Sequence, residues 1–116
     1  MFQRIAIRAA LLCLLGTAAT ASALHGFTVF KVPEGDALNV RAGPSTEHPV
    51  QAAYRNGTFL SLTGKCVGLH HDDLGGLTAA EKYSRTRYQW CEIWHDPQGN
   101  GQFVTGWAHA RYLFPH

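Results

Sequence analysis

The sequence predicts an all-β domain of short strands, interrupted by one long loop that carries a short helix. Three observations predict it. Residues with strand preference come in short runs, and each run ends at strong turn formers: Pro33-Glu34-Gly35-Asp36, Gly43-Pro44-Ser45, Asn56-Gly57 and the stretch from Asp96 to Gly101. Several runs alternate apolar with polar residues, the period of a strand with one buried face. One segment, residues 67–89, breaks this rhythm.

Composition sets the outer bounds. The chain has 116 residues, 10 basic and 8 acidic, for a formal charge of +2, with 46% hydrophobic and 16% charged residues. Those values exclude a coiled coil, a disordered tail and a collagen-like rod. The length admits one domain and excludes a Rossmann enzyme or a TIM barrel. No basic excess marks a nucleic-acid surface, so no nucleic-acid partner is expected.

The first element is a leader. Arg4 and Arg8 precede the apolar run Ala9-Ala10-Leu11-Leu12-Cys13-Leu14-Leu15, and small residues lead to Ala21-Ser22-Ala23. This is the three-part pattern of a Sec-type signal peptide over residues 1–23, with cleavage after Ala23. The apolar run is far below the roughly 20 residues that span a bilayer, so no stable membrane anchor is expected after cleavage. Leu12 stands before Cys13 where a lipobox requires a small residue. Removing the leader leaves residues 24–116, a domain of 93 residues in which eight basic and eight acidic residues balance. A periplasmic or secreted protein is the expected product.

The strands follow in order. Phe27-Thr28-Val29-Phe30-Lys31-Val32 is rich in strand formers and stops at the turn that begins with Pro33. Leu38-Asn39-Val40-Arg41 alternates, then meets Gly43-Pro44. Residues 50–54 form a weaker strand closed by Asn56-Gly57, a tight-turn dipeptide. Residues 59–65 place Leu60 and Leu62 on one face. Residues 88–95 are aromatic-rich, and the turn from Asp96 to Gly101 separates them from residues 102–108 as a hairpin.

The 23 residues at 67–89 read as a surface insertion. Thr78-Ala79-Ala80-Glu81 has the spacing of a capping box, so a short helix is expected from Ala79 to Tyr83. A structureless loop of this length in a compact domain is normally functional or mobile. Cys66 and Cys91 flank it. With Cys13 lost in the leader, an even pair in an exported domain reads as a disulfide. If the strands at 59–65 and 88–95 pair antiparallel, Cys66 shares the face of Leu60 and Leu62, and Cys91 shares that of Ile93. The bond then joins the two inward faces where the insertion leaves the sheet, with Cα atoms about 4.4–6.8 Å apart.

The string Ala37-Leu38-Asn39-Val40-Arg41-Ala42-Gly43-Pro44-Ser45-Thr46 resembles the signature opening of bacterial SH3 (SH3b, SH3 type 3) domains. Val50, Asn56-Gly57-Thr58 and Trp90-Cys91-Glu92-Ile93 follow in that family's order. Thr105-Gly106-Trp107-Ala108-His109-Ala110-Arg111-Tyr112-Leu113 is similar to its closing motif. The resemblance covers residues 37–113 and departs from the family at the insertion. It implies an SH3-like small barrel of about five antiparallel strands with Leu38, Val40, Leu60, Leu62, Ile93 and Leu113 in the core, Gly43-Pro44 turning the chain and Gly106 permitting a close strand crossing. It also implies a non-catalytic module that recognises peptidoglycan peptides or a cell-envelope protein, with no cofactor.

The residues themselves argue against catalysis. Both cysteines of the processed chain are committed to a disulfide, and no Gly-x-Ser-x-Gly elbow occurs. Asp72 and Asp73 are adjacent, so in an extended segment they point to opposite sides. His70, His71, Asp72 and Asp73 are suitable zinc ligands by chemistry, but their spacing matches no structural zinc motif, and a solvated polar loop explains them as well. Binding remains. Tyr88, Trp90, Glu92 and Trp94 share the face opposite Cys91 and Ile93. That row is either an exposed platform, with Trp94, Tyr88 and Tyr54 as contacts, or a second small core covered by the insertion. The second functional expectation is a small periplasmic inhibitor or accessory subunit that docks on one protein partner through residues 67–89.

Overall fold

The structure, a computed structural model, describes residues 26–116. The leader at residues 1–23 and its cleavage point after Ala23 lie outside the described residues. The elements in chain order are β1 (Gly26–Val29), β2 (Leu38–Arg41), β3 (Val50–Tyr54), β4 (Phe59–Cys66), β5 (Leu69–His70), α1 (Ala79–Thr86), β6 (Trp90–His95), β7 (Val104–His109) and β8 (Leu113–Pro115). All strand pairs are antiparallel, in the order β3-β2-β7-β6-β4-β1-β8, with β5 paired on β4.

The all-β class is as the sequence predicts; among the described residues eight strands form, two more than the six segments read from the sequence and against the about five of the implied barrel. The additional strands are the short ones. β8 pairs with β1 through Phe27–Pro115, Thr28–Phe114 and Val29–Leu113. It lies at one end of the strand order, where Pro115 removes no interior ladder bond. β1 ends three residues before the expected boundary at Val32. Lys31 takes a left-handed backbone with φ of 64°, and the Asn56 side chain then clamps Val32. Asn56 Oδ1 accepts from the Val32 N–H at 3.0 Å, and its amide donates to the Val32 carbonyl at 2.9 Å.

β6 is the best-connected strand. It pairs with β7 from Trp90–His109 to His95–Val104, and with β4 at Ser61–Trp94, Leu62–Ile93 and Cys66–Cys91. The shift in register along β4 falls around Gly64, whose φ of 96° suits only glycine without strain. Cys66 and Cys91 are direct cross-strand partners and form a disulfide with a Cα separation of 4.0 Å. That is closer than the expected range. The adjacent Val67 N–H donates to the Trp90 carbonyl, which leaves the cysteines at a non-hydrogen-bonded position, where antiparallel strands approach most closely.

The core holds Phe27, Val29, Leu38, Val40, Leu60, Ile93, Ala108 and Leu113, with Leu62 partly buried at its margin. The insertion is anchored to this core. Leu74 is fully buried in it, and Leu69 and Leu77 pack against it. α1 extends one turn beyond the expected end at Tyr83, and its capping box is complete. Glu81 N–H donates to Thr78 Oγ1 at 3.2 Å, and Thr78 N–H donates to the Glu81 carboxylate at 2.8 Å. The helix lies against β8, with the Tyr83 ring 5.2 Å from Phe30 and 5.9 Å from Phe114.

Gly106 and Gly43, like Gly26 against Phe59, act through the space a side chain would fill. A Cβ at Gly106 would stand 2.5 Å from Val40 Cγ1 and Gln51 Oε1 and 2.8 Å from His95 Nε2, so the close crossing expected there is real. Gly43 is needed for a different reason from the one the sequence suggests. Its φ is not positive, but a Cβ would overlap the His48 ring.

The disulfide closes a segment of 25 residues, and removing it restores that freedom to the unfolded chain. Replacing both Cys66 and Cys91 by Ala is expected to lower unfolding free energy in urea by about 3 kcal/mol. A change under about 0.5 kcal/mol would show that the staple carries little of the stability.

Candidate functional site

An open groove runs along one side of the domain. Its first wall is the β1–β2 connection, which presents Val32, Pro33, Asp36 and Ala37, followed by Leu38, Asn39 and Arg41 of β2. The Asn56 clamp fixes this wall at Val32. Arg41 fixes its far end by donating to the carbonyls of Thr46 and His48 at 3.1 and 3.0 Å. The floor is Trp90, His109 and Tyr112. Trp90 and His109 are register partners on β6 and β7, and their rings meet edge-on at 5.4 Å. The His109 ring accepts from the Arg111 N–H at 3.2 Å, which starts the tight turn that carries Arg111 and Tyr112. Burial, and then the Arg111 charge, hold the His109 pKa below its ordinary value.

The second wall belongs to the insertion. Tyr83 and Arg87 of α1 and its C-cap, with Tyr88 behind them, face Lys31, Pro33, His109, Arg111 and Tyr112. The Tyr83 hydroxyl donates to the Arg111 carbonyl at 2.7 Å and ties the two walls together. The two halves of the groove enclose about 420 and 780 Å³ and share Pro33, His109, Arg111 and Tyr112. Lys31, Arg41, Arg87 and Arg111 line it, against one carboxylate, that of Asp36.

A separate polar network lies on the inner face. The Tyr54 hydroxyl bonds His95 Nδ1 at 2.7 Å, and His95 Nε2 meets Gln51 Oε1 at 2.8 Å. Both ring nitrogens of the buried His95 are therefore satisfied with the imidazole neutral. Burial lowers its pKa below the ordinary value of 6.5, partly offset by Asp96. Burial, and then Asp96, raise that of Tyr54.

The three aromatic contacts expected from sequence do not share one site. Tyr88 is 72% exposed and lines the insertion side of the groove. Trp94 is 44% exposed and faces outward between its partners Ser61 and Thr105, away from the groove lining. The insertion does not cover it. Tyr54 is spent on the inner network. Of the expected aromatic row, Trp90 and Tyr88 reach the groove.

The side chains of His70, His71 and Asp72 lie outside the described residues, and Asp73 is exposed. Among the described residues no group of three or more His, Cys, Asp or Glu is placed to hold a metal ion. His95 and His109 are both engaged in the internal hydrogen bonds given above. Ser45 Oγ and His48 Nδ1 are 2.9 Å apart, but this pair ties a turn. The same hydroxyl accepts from the Glu47 N–H, and the ring lies over Gly43.

Lys31, Arg41, Arg87, His109, Arg111 and Tyr112 were not expected as site residues. One signal for them was present in sequence: Thr105, Trp107 and His109 alternate along one strand and therefore share the outward face with Arg41, the partner of Trp107. The approach of residues 83–88 to residues 109–112 left no local pattern. Comparison of the chain with family models, curated proteins and solved structures gives no match.

The neutral His95 sets a pH dependence. Its folded pKa lies below 6.5, so between that value and 6.5 the unfolded chain binds more protons than the folded one. Stability is full above pH 6.5 and is lost as pH falls through this window; His109 adds the same sign. Urea midpoints of the wild type are expected to hold level from pH 8 to 7 and to fall below about pH 6.5. In His95→Leu the pH 8 value drops and the acid slope becomes shallower. An unchanged slope in that variant would remove His95 from the account.

Proposed function

We propose that this chain is an exported, non-catalytic binding module with an SH3-like small barrel, recognising peptidoglycan peptides or a cell-envelope protein in the groove floored by Trp90, His109 and Tyr112. The observation that carries the reading is the continuous groove, in which half-buried aromatic rings meet rim cations. Aromatic anchors flanked by placed polar groups are the usual make-up of a recognition site. The all-antiparallel pairing of short strands and the strings at residues 37–46 and 105–113 support the barrel. The Cys66–Cys91 disulfide and the leader pattern support an oxidising compartment such as the periplasm or the exterior. Among the described residues no helix is long and apolar enough to cross a membrane.

The insertion supplies Tyr83, Arg87 and Tyr88 to the groove, which gives the accessory-subunit reading a concrete surface. Both readings place the partner against the same residues and differ in what the partner is.

Pull-down on purified sacculi separates them. Wild type is expected to be retained, Trp90→Ala to lose about tenfold or more in retention, and Trp94→Ala to behave as wild type. Loss confined to Trp94→Ala would move the site to the outer face of β6. Absence of wild type from sacculi, with one stoichiometric envelope protein recovered instead, would replace the wall ligand with a protein partner.

A further inference from the structure

We propose that the insertion side of the groove is a carboxylate subsite that takes the acidic segment of an extended peptide; this rests on the reading of the groove as a recognition site. The lining of this half contains Lys31, Arg87 and Arg111 and no Asp or Glu. The chain after leader removal has eight basic and eight acidic residues in balance, so this concentration of one sign is local. Among the described residues no Asp or Glu is seen paired with any of the three; the Lys65–Glu92 pair lies elsewhere.

Each cation is also positioned. The Arg87 guanidinium lies 4.8 Å above the Tyr88 ring, that of Arg111 lies 5.6 Å from Tyr112, and Lys31 Nζ is 5.6 Å from Tyr83 and 5.4 Å from Phe30. A guanidinium held near a ring is weakly hydrated and keeps N–H donors for a carboxylate. Lys31 is held at φ 64° between the Phe30 N–H bond to the Tyr112 carbonyl and the Asn56 clamp at Val32. A non-glycine residue in that conformation persists only where its surroundings impose it. The other half of the groove is lined by apolar Trp90, Leu38 and Val32 and holds both charge signs, Asp36 against Arg41 and the shared Arg111. A ligand that fits both halves is extended, with its carboxylates at the insertion end and an apolar part toward Trp90 and Leu38.

Two synthetic peptides test this, Ala-Glu-Ala-Glu-Ala and Ala-Gln-Ala-Gln-Ala, both with blocked ends, titrated into the isotopically labelled, oxidised protein. The Glu peptide is expected to shift the amides of Lys31, Arg87, Tyr88 and Arg111 and to bind about tenfold more tightly than the Gln peptide, since charge-assisted bonds are the stronger ones. Raising the salt is expected to erode the difference. Arg87→Gln combined with Lys31→Gln is expected to bring the Glu peptide down to the Gln peptide, with the amide spectrum elsewhere unchanged.

Equal affinities for the two peptides, or shifts away from these residues, overturn the proposal. Inorganic phosphate that gives the same shifts and displaces the Glu peptide at equal concentration also overturns it, because the pocket is then a general anion site. If sacculi are retained through Trp90 while the two peptides are indistinguishable, the subsite falls and the groove reading stands. If the Glu peptide binds here and sacculi do not, the subsite stands and the wall ligand falls.

Discussion

The antiparallel pairing of β6 with β4, stapled by Cys66–Cys91, is the constraint on which the remainder of the molecule rests. β6 turns Cys91, Ile93 and His95 into the core and Trp90, Glu92 and Trp94 outward, so one six-residue strand supplies both core and surface. Its other edge holds β7, and β7 places His109 beside Trp90. The disulfide sits where the insertion leaves and re-enters the sheet. It therefore fixes both ends of a segment that would otherwise be a long surface loop, and Leu74 seats the middle of that segment in the core. With ends and middle held, α1 has little freedom except to lie along β8 and bring Tyr83, Arg87 and Tyr88 over the turn at Arg111.

The groove follows from that arrangement. One wall is the β1–β2 connection, stiffened by Asn56, and the other is the insertion, stiffened by the disulfide and by the Tyr83 bond to the Arg111 carbonyl. The first wall and the floor enclose the half of about 420 Å³, and the insertion adds the other. Exposed ion pairs contribute little to stability in water, so unpaired cations along the rim leave the fold intact and remain open to a ligand. Away from the groove, the inner Tyr54–His95–Gln51 network joins β3 to β6, and Gly106 leaves it the space to do so.

The sequence showed the all-β class, the boundaries of β2 and β3, the capping box at Thr78 and the disulfide, because each has a local signal: alternation, turn residues, fixed spacing or parity. It did not show β5 and β8, which are two and three residues long and exist only because a neighbouring strand offers hydrogen bonds. It read Tyr54 as a surface contact, since an aromatic on a weak strand gives no hint that a histidine 41 residues away will hydrogen-bond its hydroxyl. It read Trp94 as a contact from alternation alone, which identifies a face but not whether a groove passes over it. Arg87 and Arg111 became site residues only through the packing of the insertion, a long-range event without a sequence period.

The central claim is that ligand enters between the β-sheet and the insertion, and the three tryptophans report on it directly. Their indole N–H signals can be followed in the intact protein as solubilised peptidoglycan peptides are added. The account expects Trp90, on the groove floor, to shift along with the amides of Tyr88 and Tyr112 on either side of it, while Trp94 stays in place. Shifts centred on Trp94, with Trp90, Tyr88 and Tyr112 unmoved, would place recognition on the outer face of β6 and contradict the account.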